Sequence, residues 1–158
     1  MTTLSVKRTS LLVVMITGLM LLFASLFQIN ANAATPTKGD KVVSYALTLK
    51  GSPFKYGGTT PKGFDASGYT QYVYAKSVKV KLPRTSVDQY KVGKSVQATQ
   101  LKKGDLVFYK TYGKTVSFVG IYIGKDQFIG TTSSGVKVQS MKTSYWKSKY
   151  VGAKRIVQ

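Results

Sequence analysis

Val116-Ser117-Phe118-Val119-Gly120-Ile121-Tyr122-Ile123 is the stretch that decides the fold class. A two-residue alternation puts Phe118, Gly120 and Tyr122 on one face and Val119, Ile121 and Ile123 on the other, as in a strand whose second face joins a core. Phe118 is then turned away from that core. Outward from this stretch, Leu106 to Tyr109, Gln127 to Thr131, Val136 to Met141 and Val151 to Val157 read as further strands, separated by Gly-Lys, Gly-Lys-Asp and Ser-Ser-Gly turns. Toward the N-terminus the period lengthens. Asp40 to Leu49 carries Val42, Val43, Ala46, Leu47 and Leu49 close to a 3.6-residue repeat and reads as a helix ended by Gly51 and Pro53. A Gly- and Thr-rich loop from Phe54 to Lys62 leads to a second helix, Ser67 to about Ser77, with Asp65 placed to cap it. After Leu82-Pro83, Arg84 to Tyr90 can form one or two helical turns opened by Thr85 or Ser86. Helices first and strands later predict an α+β domain, N-terminal helices packed on an antiparallel sheet of about five strands.

The first thirty-odd residues read as an export signal. Lys7 and Arg8 form a basic start, Leu11 to Phe27 is uncharged and mostly apolar, and Ala31-Asn32-Ala33 is a small-x-small cleavage site. A retained membrane anchor is the alternative, since the apolar run is at the lower edge of a spanning length. The expectation is a signal peptide over residues 1–33 and a single domain over 34–158, secreted and without stable membrane insertion.

Composition removes most catalytic options. The chain has no Cys and no His, which excludes Cys–His and Ser–His pairs, disulfides and ordinary zinc sites. Its five acidic side chains are Asp40, Asp65, Asp88, Asp105 and Asp126. No metal or cofactor is expected. Against these stand 24 basic residues and a net charge of +19. Without residues 1–33 the balance is 22 basic to 5 acidic, or +17, and only Arg84 and Arg155 of the basic set are Arg. Scattered lysines are hydrated point charges suited to diffuse attraction by a polyanion. For an exported chain the candidates are anionic wall polymers and membrane head groups, with nucleic acid disfavoured by compartment. Solubility alone is the plainer reading of the charge.

Five blocks in one order carry a resemblance: Gly-Ser-Pro-Phe-Lys-Tyr-Gly-Gly (51–58), Gly-Phe-Asp-Ala-Ser-Gly-Tyr-Thr-Gln-Tyr-Val-Tyr (63–74), Leu-Pro-Arg-Thr-Ser-Val-Asp-Gln (82–89), Leu-Lys-Lys-Gly-Asp-Leu-Val-Phe-Tyr (101–109) and Val-Ser-Phe-Val-Gly-Ile-Tyr-Ile-Gly (116–124). Together, over residues 38–158, they resemble the NlpC superfamily of bacterial cell-wall endopeptidases. The resemblance implies a papain-like fold in which a helix bearing a nucleophilic Cys packs on a sheet bearing a His and a third polar residue. Active members cleave peptidoglycan stem peptides.

Residue by residue, the catalytic part of the resemblance fails. The position of the Cys holds Ala66, that of the His holds Phe118, and that of the third residue, after Phe128-Ile129, holds Gly130. A methyl group, a phenyl ring and a hydrogen neither attack a carbonyl nor move a proton. Ser67 beside the vacant nucleophile position needs a base, and a Ser–Lys pair is the available chemistry, although the next residue on a helix is turned by about 100°. The resemblance implies that Tyr56, Asp65 and Ser67 border the pocket for the end of the stem peptide, the Asp favouring an ammonium group. The plainer readings are an N-cap for Asp65, a packed aromatic for Tyr56 and a helix-start residue for Ser67. Arg84 reads first as the partner of an Asp, and Tyr145, Trp146 and Tyr150 as core closure more than a carbohydrate platform. The resulting expectation is an inactive, wall-associated pseudoenzyme that binds peptidoglycan stem peptides, anionic wall polymers, or both. The alternatives are a module that inhibits or competes with cell-wall hydrolases, and a residual hydrolase using Ser67.

Overall fold

The structure, a computed structural model, describes residues 35–157; the expected signal segment, residues 1–33, lies outside them. The chain forms helix α1 (Lys38–Thr48), a short ladder of β1 (Thr59–Thr60) and β2 (Gly63–Phe64), helix α2 (Ala66–Val78) and helix α3 (Ser86–Tyr90). There follow β3 (Lys94–Val96), β4 (Leu106–Tyr109), β5 (Phe118–Gly124), β6 (Gln127–Thr132), β7 (Gly135–Ser140), helix α4 (Ser144–Lys149) and β8 (Tyr150–Arg155). The larger sheet runs β3-β8-β4-β5-β6-β7 with every pairing antiparallel. This is the expected α+β arrangement, with six strands in place of about five.

Caps set the helix limits. Thr37 and Asp40 form a reciprocal capping box that starts α1 two residues before the apolar period does. Asp65 caps α2 by accepting from the Gly68 N–H at 2.7 Å, and Thr85 caps α3. The β5 strand begins at Phe118, because Ser117 closes the preceding loop: its Oγ accepts from the Tyr112 N–H at 2.9 Å and bonds Thr111 Oγ1 at 3.1 Å.

The sheet separates two apolar clusters. Val119 and Ile121 join Val42, Ala46, Tyr69 and Val73 of α1 and α2 in the larger one. Phe118 and Tyr122 join Tyr109, Phe128 and Trp146 in the other, so the alternation read from residues 116–123 divides the two faces as expected. Phenol groups pin the helices to their surroundings: buried Tyr69 donates to the Ala46 carbonyl at 2.8 Å and Tyr74 to the Gly104 carbonyl. Asp105 is 2% exposed and accepts from Arg155 Nε at 2.8 Å and from the Lys102 N–H at 2.8 Å. That arrangement fixes the turn into β4, and the same carboxylate holds β8 through Arg155.

Candidate functional site

A cavity of about 760 Å³ opens where the N-terminus of α2 meets the start of β5. Its position follows from a close backbone contact. Gly68 lies against the Gly58 carbonyl so tightly that a Cβ there would sit 2.1 Å from that oxygen, and Asp65 N–H donates to the same carbonyl at 3.0 Å. The loop carrying Tyr56 and Gly57 is thereby held at the mouth.

Ala66 is the first residue of α2 and Phe118 the first of β5; both border the cavity. Gly130 lies behind Phe118 in β6, where a Cβ would stand 3.0 Å from Phe118 Cζ. Ala66 and Gly130 thus both lie against the cluster that holds Phe118. Phe118 is only 7% exposed, with its ring centroid 5.0 Å from that of Trp146 and 6.0 Å from that of Phe128. It forms a wall of the cavity and leaves it open.

Asp65, Ser67 and Tyr56 also border the cavity. Arg84 donates from Nη1 to Asp65 Oδ1 at 3.1 Å and to Ser67 Oγ at 3.0 Å, and from Nη2 to Asp65 Oδ2. Hydrogen bonds from the guanidinium to Asp65, and the charge of that carboxylate, hold Arg84 above its ordinary pKa. Asp65 therefore serves as cap and counter-ion at once, and Arg84 both pairs with an Asp and faces the groove. Ser67 is bound into this cluster, and among the described residues no lysine borders the cavity, so a Ser–Lys pair has no partner there. Tyr56 is 91% exposed and packs in no core.

Phe54, Thr131 and Tyr145 border the cavity too, none of them named from the sequence as a site residue. The aromatic trio near the C-terminus divides: Trp146 and Tyr150 pack with the second cluster, whereas Tyr145 stays half-exposed at the cavity. Among the described residues there is no cluster of acidic side chains that could hold a metal ion. All five carboxylates sit in ion pairs, Asp40 with Lys103, Asp65 with Arg84, Asp88 with Lys91, Asp105 with Arg155 and Asp126 with Lys142. Among the described residues no other basic side chain forms an ion pair.

The sequence profile of the NlpC/P60 family matches residues 51–155. The chain belongs to the NlpC/P60 family. It is 44% identical over 130 residues to gamma-DL-glutamyl hydrolase of Bacillus subtilis, covering 78% of this chain and 31% of that protein. It is 43% identical over 118 residues to the murein DD-endopeptidase MepS of Escherichia coli K12, covering 74% of this chain and 62% of the relative. The chain thus spans less than two thirds of either curated relative. Among solved structures, RipD of Mycobacterium tuberculosis, described as a non-catalytic NlpC/p60 domain protein adapted to peptidoglycan binding, superposes with a TM-score of 0.66 at 32% identity, covering 78% of this chain and all of that one. The family includes both endopeptidases and a non-catalytic domain, and the chemistry at Ala66, Phe118 and Gly130 bears on which kind this chain is.

Proposed function

We propose that this NlpC/P60 domain is catalytically inactive and binds the bacterial cell wall. The observation that carries the reading is Ala66 and Phe118 at an open cavity, with Gly130 behind Phe118, a set that offers neither nucleophile nor base. The non-catalytic RipD supports it as a relative described in those terms. Peptidoglycan is the ligand of the cavity, with Tyr56, Asp65 and Ser67 among the contacts, and anionic wall polymers are attracted by the lysine surface. The protein is exported and processed after Ala33, which the N-terminal sequence of protein recovered from the culture or wall fraction checks.

Incubation with purified sacculi and with free stem peptides tests inactivity and binding together. Retention on the sacculi without release of cleavage products is expected. Sustained turnover abolished by Ser67→Ala would overturn the reading, as would a failure to bind sacculi at all. In a companion experiment, Ala66→Cys, Phe118→His and Gly130→His together restore the lost groups. Gain of peptidase activity is expected if the surrounding cavity still accepts a stem peptide.

A further inference from the structure

A second cavity, of about 450 Å³, opens beside the chain that leaves α2 and shares no lining residue with the first. Its apolar surface comes from Val80, Leu82, Pro83, Val92 and Ile156, so the segment after α2, the turn before β3 and the residue after β8 close on one another. Leu82 is buried, whereas the other four keep part of their surface open to solvent. The walls are pinned by hydrogen bonds. The Val80 N–H donates to the Tyr74 carbonyl at 3.3 Å and the Val92 N–H to the Gln89 carbonyl at 3.4 Å. The Leu82 carbonyl accepts from the Gln71 side-chain amide at 2.8 Å, and the Pro83 carbonyl from that of Gln89 at 2.9 Å. Gly93, at a φ of +79°, lets Ile156 come in, since a Cβ there would stand 2.6 Å from Ile156 Cδ1. A groove fixed in this way has little left to order when a ligand enters.

Charge narrows the ligand. Among the described residues, Lys81 is the only charged side chain that borders this cavity. It is exposed, and it forms no ion pair among those residues. A neutral apolar ligand leaves that ammonium unused, and a cation is repelled by it. A polyanion with no apolar part leaves the groove uncovered. A molecule apolar along its length with one negative charge at its end satisfies both the walls and the lysine. A phosphate monoester brings a charge of about −1.5 to −2 to a single ammonium, so a carboxylate is the better match.

We propose that this groove binds a single-chain alkyl carboxylate, its chain lying along Val80, Leu82, Val92 and Ile156 and its carboxylate at Lys81 Nζ. The domain then carries a fatty-acid site apart from its larger cavity, and the assignment does not rest on the reading of that cavity. The volume is in the range usual for small-molecule sites. A concave wall of this size takes one chain at a time, so the ligand is a free molecule rather than a bilayer surface.

Isothermal titration calorimetry of the full-length protein with octanoate tests this, with hexanoate, octanol, octylammonium and octyl phosphate as comparisons. Saturable one-to-one binding of octanoate is expected, with a negative heat-capacity change from apolar burial. Hexanoate, which buries two methylenes fewer, binds about tenfold more weakly. Lys81→Gln, at an exposed and unpaired side chain, weakens octanoate about threefold and leaves octanol unchanged. Lys81→Glu reverses the preference in favour of octylammonium. Ile156→Ser weakens octanoate and octanol alike, with its folded state verified by circular dichroism. Octanoate binding that neither Lys81 variant alters, equal affinity for octanoate and octylammonium in the unaltered protein, or tighter binding of octyl phosphate overturns the assignment. So does binding to phosphatidylglycerol vesicles with none to free octanoate. Self-association that Ile156→Ser abolishes gives the groove to a second copy of the chain and likewise overturns it.

Discussion

Phe118 and Gly130 are coupled, because the ring occupies the space into which any side chain at 130 must grow. Gly130→His alone should therefore destabilise the domain by about 1–3 kcal/mol through overpacking, and by clearly less in a Phe118→Ala background. Denaturant midpoints of the two single variants and the double variant check this as a double-mutant cycle. Asp65 has two duties that substitution can separate. Asp65→Ala removes the acceptor for Gly68 N–H and the partner of Arg84, with a loss of about 1–2 kcal/mol expected from the cap. Asp65→Asn keeps a capping oxygen and should recover part of that loss in thermal unfolding. Ala66 and Phe118 stand out in the sequence because each sits inside one of the ordered blocks, and Gly130 because it follows the apolar pair Phe128-Ile129. Their consequences do not, since only side-chain geometry reveals that Arg84 already occupies Asp65.

At the scale of elements, α3 is a single turn secured by one buried side chain. Gln89 is fully buried; it donates to the Ser67 carbonyl at 3.0 Å and the Pro83 carbonyl at 2.9 Å, and accepts from Thr70 Oγ1 at 2.7 Å. Gln89→Ala leaves those groups without this partner, and a loss of about 2–4 kcal/mol is expected. Hydrogen exchange should rise first at Thr85 to Tyr90, loosening the cavity wall formed by Thr85 and Ser86. Among the described residues, the three helices before residue 91 and five of the strands followed from periodicity and caps. The rest left weak patterns. β3 is three residues long with Lys94 and Ser95 exposed, so it shows no alternation, and β1 and β2 have two residues each. Helix α4 is a six-residue helix whose Tyr145-Trp146 pair reads as aromatic packing; its start is marked by Thr143, which accepts from Trp146 N–H at 3.4 Å.

For the molecule as a whole, alkaline stability is set by its buried phenols. Tyr69, Tyr74, Tyr109 and Tyr150 are all pushed up, first by burial, and Tyr74 additionally by the charge of Asp105. In the unfolded chain these groups ionise near 10.0. The folded state resists that ionisation, so stability is intact below about pH 10 and falls above it as the unfolded chain gains phenolates. Phenolate absorbance from the four should emerge together with loss of the folded circular dichroism signal. At the other end of the scale, Asp40 is held below its usual range by Thr37 and Lys103, and Asp88 by Lys91 and Thr85. Both lie at the surface, and their small contribution is present above about pH 4 and lost as pH falls further. The pairing of every aspartate has one more consequence, which concerns the small ions of the medium. With its carboxylates taken up internally, the domain meets a polyanion as a polycation and releases the counter-cations condensed there, as any such ligand does. On the proposed reading it acts there as an ion exchanger, in competition with magnesium for the polymer's anionic groups. Magnesium chloride should displace it from an anionic polymer more effectively than sodium chloride of equal ionic strength, as measured by co-sedimentation.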